Sequence, residues 1–508
     1  MNRQRSFVRK ILYVAAIALL LVPLFWLSQP ASVDVRGGQA APGGVLAQLR
    51  DKFHLGQAYL GEIDPTSVTI KLVTLGMSGI AADILWHEAN TYKMKEDWTN
   101  LSATLKPIMK LQPNFIGVWL FQGWNLAYNV SHEFDDYRQR YQWVIKGIDF
   151  LKEGIKYNEH QPILQWHVGW YVGHKIGRSD ENKQFRKMFR NDDDFHGARP
   201  MDQRDNWLVA QEWFQAVEEM VDTHGDTVKG QSPIVYRSNA PMCLMNYAEA
   251  LEGDGTFGEV AQRAWMNAAA AWKRYGTHEI PAPPHKGMIR LGEKEMYEET
   301  VRRATAELDA LEPGLPRQML QEKTARLTPA QRAALGVAAG KRSQEQARLA
   351  EEAQGKIRVT PAEIAHRVAG AEHRRALELA AQIAQLQALI DVIEINRGIV
   401  NYDYWNRRAR MEQTADAVAG HKYLYQGDVA FNNGGLQEAL RDYDQGMALW
   451  RKILDQEQFQ PLLHQRTTED MLIEVIKHYR EILNQLDKPW PKKFIFQDML
   501  DLYEQRKR

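Results

Sequence analysis

Residues 421–454 read HKYLYQGDVAFNNGGLQEALRDYDQGMALWRKIL, and this stretch decides the fold. Tyr423, Gly427 and Ala430, with Phe431 beside them, recur at the spacing of one helix face. Asn432-Asn433-Gly434-Gly435 interrupts the run with residues that favour turns. Ala439, Tyr443 and Gly446 then resume it as a small–aromatic–small series. The reading is a helical hairpin whose small residues mark where two helices cross closely.

The same pattern recurs elsewhere. Over 82–115, Leu85, Ala89 and Tyr92 fit a first helix, Leu101, Leu105 and Ile108 a second, and Pro113 follows. Thirty-four residues after Leu85 comes Trp119, and thirty-four after Ala89 comes Gly123. The second helix of this next unit comes late, carrying Gly147, Leu151 and Gly154, so extra residues around 131–140 read as an insertion in the hairpin. Over 245–275, Ala261, Trp265 and Ala268 repeat the small–aromatic–small spacing, and Thr256 with Glu259 reads as a capping box.

These units resemble the tetratricopeptide repeat (TPR), a 34-residue helical hairpin. The resemblance covers about a third of the chain, and the units depart from the consensus in leucine positions and hairpin length. It implies an α-solenoid with a concave groove, lined by first helices, that holds a peptide or helix of a protein partner. The groove-facing positions it implies are Asn90, Lys93, Trp124, Tyr128, Asp428 and Asn432.

The rest of the chain frames these repeats. Of 508 residues, 44% are hydrophobic and 25% charged, enough apolar material for a core. Sixty-four basic residues balance sixty-four acidic ones, so no global charge draws in nucleic acid. The single cysteine, Cys243, sits in an apolar run and reads as a buried thiol. Arg3, Arg5, Arg9 and Lys10 precede residues 11–27, an uncharged apolar run that ends near Trp26. That pattern reads as a single-pass membrane anchor with the basic flank in the cytoplasm, against the rival reading of a cleaved signal peptide. Either way the bulk of the chain lies outside the cytoplasm, in the periplasm-like compartment of a bacterium.

Residues 289–418 are rich in Ala, Glu, Gln, Arg and Leu. Thr328-Pro329-Ala330-Gln331 and Thr360-Pro361-Ala362-Glu363 both read as helix starts. The second is expected to open one long helix, to about Val418, or a coiled-coil hairpin.

Catalytic and cofactor motifs fare poorly. Gly253-Asp254-Gly255-Thr256-Phe257-Gly258 matches GxGxxG but follows a helical stretch, so it reads as a hairpin turn. His160, His167 and His174 are spaced by sevens, with Pro162 between the first two. Asp192-Asp193-Asp194 lacks the glycine and terminal glutamate of a calcium loop and reads as a solvated loop. The tryptophans fall at helical spacing and read as core.

The combined expectation is an all-α protein: a transmembrane helix, TPR-like hairpins and a long-helix, coiled-coil-like insertion. Its parts are an anchor over 1–29, a linker over 30–63, repeats over 64–185, a helical region with a further hairpin over 186–288, long charged helices over 289–418, and a last repeat with terminal helices over 419–508. The expected function is an envelope scaffold that binds proteins, with no catalytic residue, no metal and no cofactor. Two alternatives stand beside it: a metal- or cofactor-dependent protein with a pocket near His167 and His174, and a structural protein that self-associates through 361–418.

Overall fold

The computed structural model describes residues 78–507 apart from 225–227, 229–231, 283–286 and 464, with isolated positions 19, 20, 23, 27, 44, 45 and 48 before them. The anchor over 11–27, apart from those positions, and the linker over 30–63 lie outside the described residues. Among the described residues regular structure is helical, except for one antiparallel ladder pairing Ile280 with Ile289 and Pro281 with Met288. The all-α expectation holds. The chain divides at 231/232 into two compact units.

Unit 1 is built of successive hairpins. Helices α1 (Ser78–Met94) and α2 (Trp98–Leu111) close over Ala82, Ala89, Leu101, Leu105 and Ile108. Asp97 caps α2 by accepting from the Asn100 amide at 3.2 Å, which satisfies a donor the helix itself cannot. Helix α3 (Ile116–Trp124) runs on through a π-helical segment, Asn125–Val130, and pairs with α4 (Tyr137–Tyr157). The extra residues expected as an insertion are absorbed into these helices, leaving 131–136 as the connection.

Glycine sets how closely α3 and α4 approach. A Cβ on Gly147 would stand 2.7 Å from the Gly123 carbonyl oxygen, and one on Gly154 would stand 2.7 Å from the Trp119 indole. No side chain fits either place: the backbones meet at Gly147, and the Trp119 indole packs on Gly154.

Helix α5 (Pro162–Trp170) also continues through a π-helical segment, Tyr171–Lys175. It packs on α7 (Asn206–His224), with α6 (Asn182–Arg190) inserted between them in sequence. Of the three aspartates after α6, Asp193 and Asp194 are exposed as expected, while Asp192 is half-buried and held in place. Asp192 accepts from the Phe195 amide at 3.0 Å and from the Tyr141 hydroxyl at 2.7 Å, and Asp193 pairs with the buried Arg204 at 2.6 Å. They pin a short helical turn, Asp193–His196, to its surroundings.

Unit 2 opens with the hairpin of α8 (Asn239–Gly253) and α9 (Glu259–Thr277), closed over Trp265 and Trp272. The glycine-rich segment joins the two helices as a turn, with Gly255 and Gly258 at φ of 82° and 74°. The expected Thr256–Glu259 capping box does not form: Gly258 is the N-cap, with no side-chain cap. Its positive φ sets the chain direction there, and glycine is the residue that tolerates it.

Helix α10 (Lys294–Leu311) leads to three shorter helices, α11 (Leu315–Ala325), α12 (Pro329–Gly336) and α13 (Gln344–Ile357). Thr328 and Thr360 form full capping boxes with Gln331 and Glu363, as their spacing predicts. The single long helix to Val418 does not form. Helix α14 (Pro361–Arg367) stops before Gly370, whose φ is 73°, and α15 (His373–Val400) stops at Asn401, whose φ is 51°. Asn401 ends α15 by turning its amide back on the last carbonyls, whereas α14 ends at the extended Val368.

Residues 370–400 are long and apolar enough to cross a membrane by length and composition. In the fold, Leu379 and Ile383 bury against Leu308 of α10, each contributing about 1.5–3 kcal/mol. Arg397 near the end of α15 is buried too, bonded to Glu295, Asp403 and the Leu291 carbonyl oxygen. The pairs Glu295–Arg397 and Glu307–Arg375 run α10 and α15 antiparallel.

After α16 (Tyr402–Glu412), the stretch read first folds as α17 (Ala415–Asn432) and α18 (Leu436–Leu454). A Cβ on Gly427 would stand 2.7 Å from the Tyr443 ring, and one on Gly446 would stand 2.6 Å from Leu424. Helices α19 (Arg466–Gln485) and α20 (Gln497–Lys507) complete the unit, packed on α18 through Ile476, Tyr479 and Phe496.

Candidate functional site

The strongest concentration of chemistry lies in unit 2, where the α8–α9 and α17–α18 hairpins meet α16. Glu252 occupies the last turn of α8 and is 6% exposed. Its Oε1 accepts from the Trp265 indole N–H at 3.1 Å. Glu412 ends α16 and is fully buried. His421, on the second turn of α17, meets Glu412 Oε2 at 2.8 Å and stands 3.9 Å from Glu252 Oε2. Arg408, one turn before Glu412, approaches it through Nε at 3.2 Å and reaches Glu249 through Nη2 at 2.8 Å. The Trp450 ring packs edge-on against His421 and the Trp405 ring lies beside Arg408.

Burial sets the proton affinities here. Desolvation, reinforced by Glu412 and Glu249, pushes the Glu252 carboxyl up to about 7, against the opposing pull of His421 and Trp265. Burial would lower His421, but the neighbouring Glu412 and Glu252 carboxylates outweigh it and hold the imidazolium up to about 9. Burial would raise Glu412, yet His421 and Arg408 hold it below the usual carboxylate range.

Above this cluster opens a cleft of about 470 Å³. Its walls are the end of α8, Phe257 of the following turn, the His421–Leu424–Tyr425–Asp428 face of α17, and the Met471–Glu474–Val475–His478 face of α19. Asp428 accepts from the Tyr443 hydroxyl at 2.6 Å and lies 3.3 Å from His478 Nδ1. His478 stacks on Phe431. Such a cleft can exchange a proton with Glu252 near neutral pH, or hold a cation against it.

Among the groove positions that the resemblance implies, Asp428 lines this cleft, and Asn432 is exposed one turn further along α17. The other four lie in unit 1. Asn90 and Lys93 are exposed on α1, with the Lys93 ammonium over the Phe121 ring. Trp124 is exposed and stacks on Tyr128, whose ring also carries the Lys175 ammonium at 4.9 Å. Tyr128 in turn meets Tyr171 edge-on, so the two π-helical segments touch through their aromatic rings.

His174 stacks on Trp170 at 3.7 Å and His167 packs against Trp166 and Tyr171. Burial lowers both imidazoles to about 4, so they are neutral at neutral pH. Trp166 Nε1, His167 Nδ1 and the Tyr171 hydroxyl are buried without a hydrogen-bond partner. Among the described residues, no group of three or more His, Cys, Asp or Glu side chains is placed to hold a metal ion.

Sequence reading did not single out Glu252, Arg408, Glu412, His421 or His478. The one local signal was the Arg408–Glu412 spacing of one helical turn, which by itself describes any solvated helix face. No protein-family model matches the chain, and no curated protein matches it either.

The cluster makes stability depend on pH with a definite sign. Glu252 and His421 hold protons more tightly folded than unfolded. Their contributions are complete below their ordinary values of 4.5 and 6.5 and are lost as pH rises through about 7 and about 9. Glu412 is shifted down, so its contribution is present above 4.5 and lost on acidification. Denaturant titrations of the full chain from pH 4 to 9 are expected to place the stability maximum of unit 2 near about 4.5, with stability declining from there through 7 and toward 9. A maximum near pH 8 would rule out a charged His421–Glu412 pair.

Proposed function

We propose that this protein is a TPR-like helical-repeat scaffold, anchored in a membrane by residues 11–27, with its bulk outside the cytoplasm, where it binds protein partners. The observation that carries the reading is the cleft of unit 2. It lies among α8, α17 and α19 and pairs charged with apolar walls, which suits a peptide or helix of a partner. The crossings at Gly123–Gly147 and Gly427–Tyr443 add support, since small residues at these positions are what the repeat pattern requires. The exposed Trp124, backed by the half-buried Tyr128 and Lys175 of unit 1, is the kind of aromatic residue that anchors a protein contact.

The test is photo-crosslinking in intact cells from single sites. A crosslinking amino acid at Trp124 or Asn432 is expected to capture one defined protein species, and one at the exposed Lys341 is not. Equal capture from all three sites, or none from any, would overturn the scaffold reading.

A further inference from the structure

The buried cluster beneath the unit 2 cleft is short of positive charge. Three carboxylates, Glu249, Glu252 and Glu412, share two cations, Arg408 and His421. Glu412 takes the close contacts of both, and Glu249 takes the far side of Arg408. Glu252 is left with its Trp265 hydrogen bond on Oε1. Its Oε2 accepts no hydrogen bond from the described residues, and its nearest cation is His421 at 3.9 Å. This carboxylate is more than nine-tenths buried and lines the cleft. Burial with one hydrogen bond and a distant cation penalises the charged form of Glu252, a penalty that an incoming cation would reduce.

The surroundings specify the kind of cation. Asp428, beside His478, and Glu474, paired with the exposed Lys477, add carboxylates toward the rim, and the lining residues include no lysine or arginine. Phe257, Leu424, Met471 and Val475 supply apolar wall between the charges. A small inorganic ion would leave that wall unused. A long basic side chain uses both, laying its methylene stem along the apolar wall while its charged head reaches Glu252.

We propose that the unit 2 cleft is a docking site for a peptide segment of a protein partner that inserts a lysine or arginine side chain against Glu252, with an apolar neighbour against Phe257, Leu424 and Met471. This rests on the scaffold reading above and names the chemistry of its partner. Glu252 is the anchor, Asp428 and Glu474 steer the approaching charge, and Arg408 and His421 hold the floor in place.

The test uses the full chain, purified in detergent, and two fluorescein-labelled peptides, acetyl-(Leu-Arg-Ala-Leu)3 and acetyl-(Leu-Glu-Ala-Leu)3, followed by fluorescence anisotropy. The arginine peptide is expected to bind about tenfold or more tighter than the glutamate peptide, and Glu252→Gln to remove about tenfold of that affinity, the size of one charge-assisted contact. Glu474→Lys, at an exposed rim position whose surface ion pair with Lys477 is worth at most about 1 kcal/mol, is expected to weaken the arginine peptide and strengthen the glutamate peptide. It keeps the test decisive if Glu252→Gln unfolds the unit. Equal binding of both peptides, or an unchanged preference in Glu474→Lys, overturns the proposal.

A crosslinker at Tyr425 in the cleft, compared with one at Tyr128 in unit 1, separates the two levels. Capture of the same partner from both sites, with its crosslinked segment containing a basic residue, supports the docking site. Capture from Tyr128 alone overturns the cleft and leaves the scaffold reading standing. Capture from neither overturns both.

Discussion

Exchanging Glu412 for leucine is expected to destabilise unit 2 by about 3–5 kcal/mol, the usual cost of removing one partner from a buried ion pair. The carboxylate is fully buried and is the anion that His421 and Arg408 share. Without it, His421 loses the nearer of the two carboxylates that hold its imidazolium, and burial pulls its proton affinity down against Glu252 alone. Arg408 keeps Glu249 but loses the contact made through Nε. The decline of stability between pH 6.5 and 9 should therefore flatten in Glu412→Leu, since His421 is one source of it.

Adding His421→Leu should recover part of the loss, because an apolar pair of similar volume can replace a buried ion pair at little cost. Guanidinium titrations of the two single variants and the double variant check this. A double variant whose loss equals the sum of the two single losses would show that Glu412 and His421 do not act as a pair.

That such a cluster was hidden in the sequence follows from how it is assembled. Glu249 and Glu252 come from one hairpin, His421 from another, and Arg408 and Glu412 from the helix between them. Each looks locally like a charge on a solvated helix face, because helical periodicity reports which face is apolar and says nothing of which distant helix covers the rest. The hairpin over 421–454 was legible for the opposite reason. Its glycines, its aromatic residues and its Asn-Asn-Gly-Gly turn are local instructions, and Gly427 meets Tyr443 only sixteen residues on.

Capping boxes at Thr328 and Thr360 were legible on the same ground. The long helix to Val418 failed because the apolar periodicity runs on through Gly370 and Asn401. The stops are short local signals: the extended Val368, the left-handed Asn401 and the Gln413–Thr414 link between α16 and α17. The anionic cleft falls between these cases. Asp428 could be placed by its register in the repeat, whereas Glu252 needed the fold.

The second large effect concerns that hairpin, and its sign is opposite to what helix propensity predicts. Alanine is worth about 1 kcal/mol more than glycine inside a helix. At Gly355, in the last turn of α13 with nothing within 4 Å of an added Cβ, Gly355→Ala should therefore stabilise the protein by about 0.5 kcal/mol. At Gly427 the same change should destabilise it by about 1–3 kcal/mol, the range for forcing extra volume into a packed core.

The new methyl group would overlap two atoms of the Tyr443 ring at 2.7 Å. That ring has little room to move: it is fully buried, and its hydroxyl is held by Asp428 at 2.6 Å. Relief must come from separating α17 and α18, which shifts Asp428 and with it one wall of the cleft. Gly427→Ala should thus speed amide exchange across 415–454 and weaken the arginine peptide together, while Gly355→Ala leaves both unchanged. If Gly427→Ala melts higher than the parent, as Gly355→Ala should, the two helices do not cross at van der Waals contact. The close crossing on which the repeat reading leans would then be wrong.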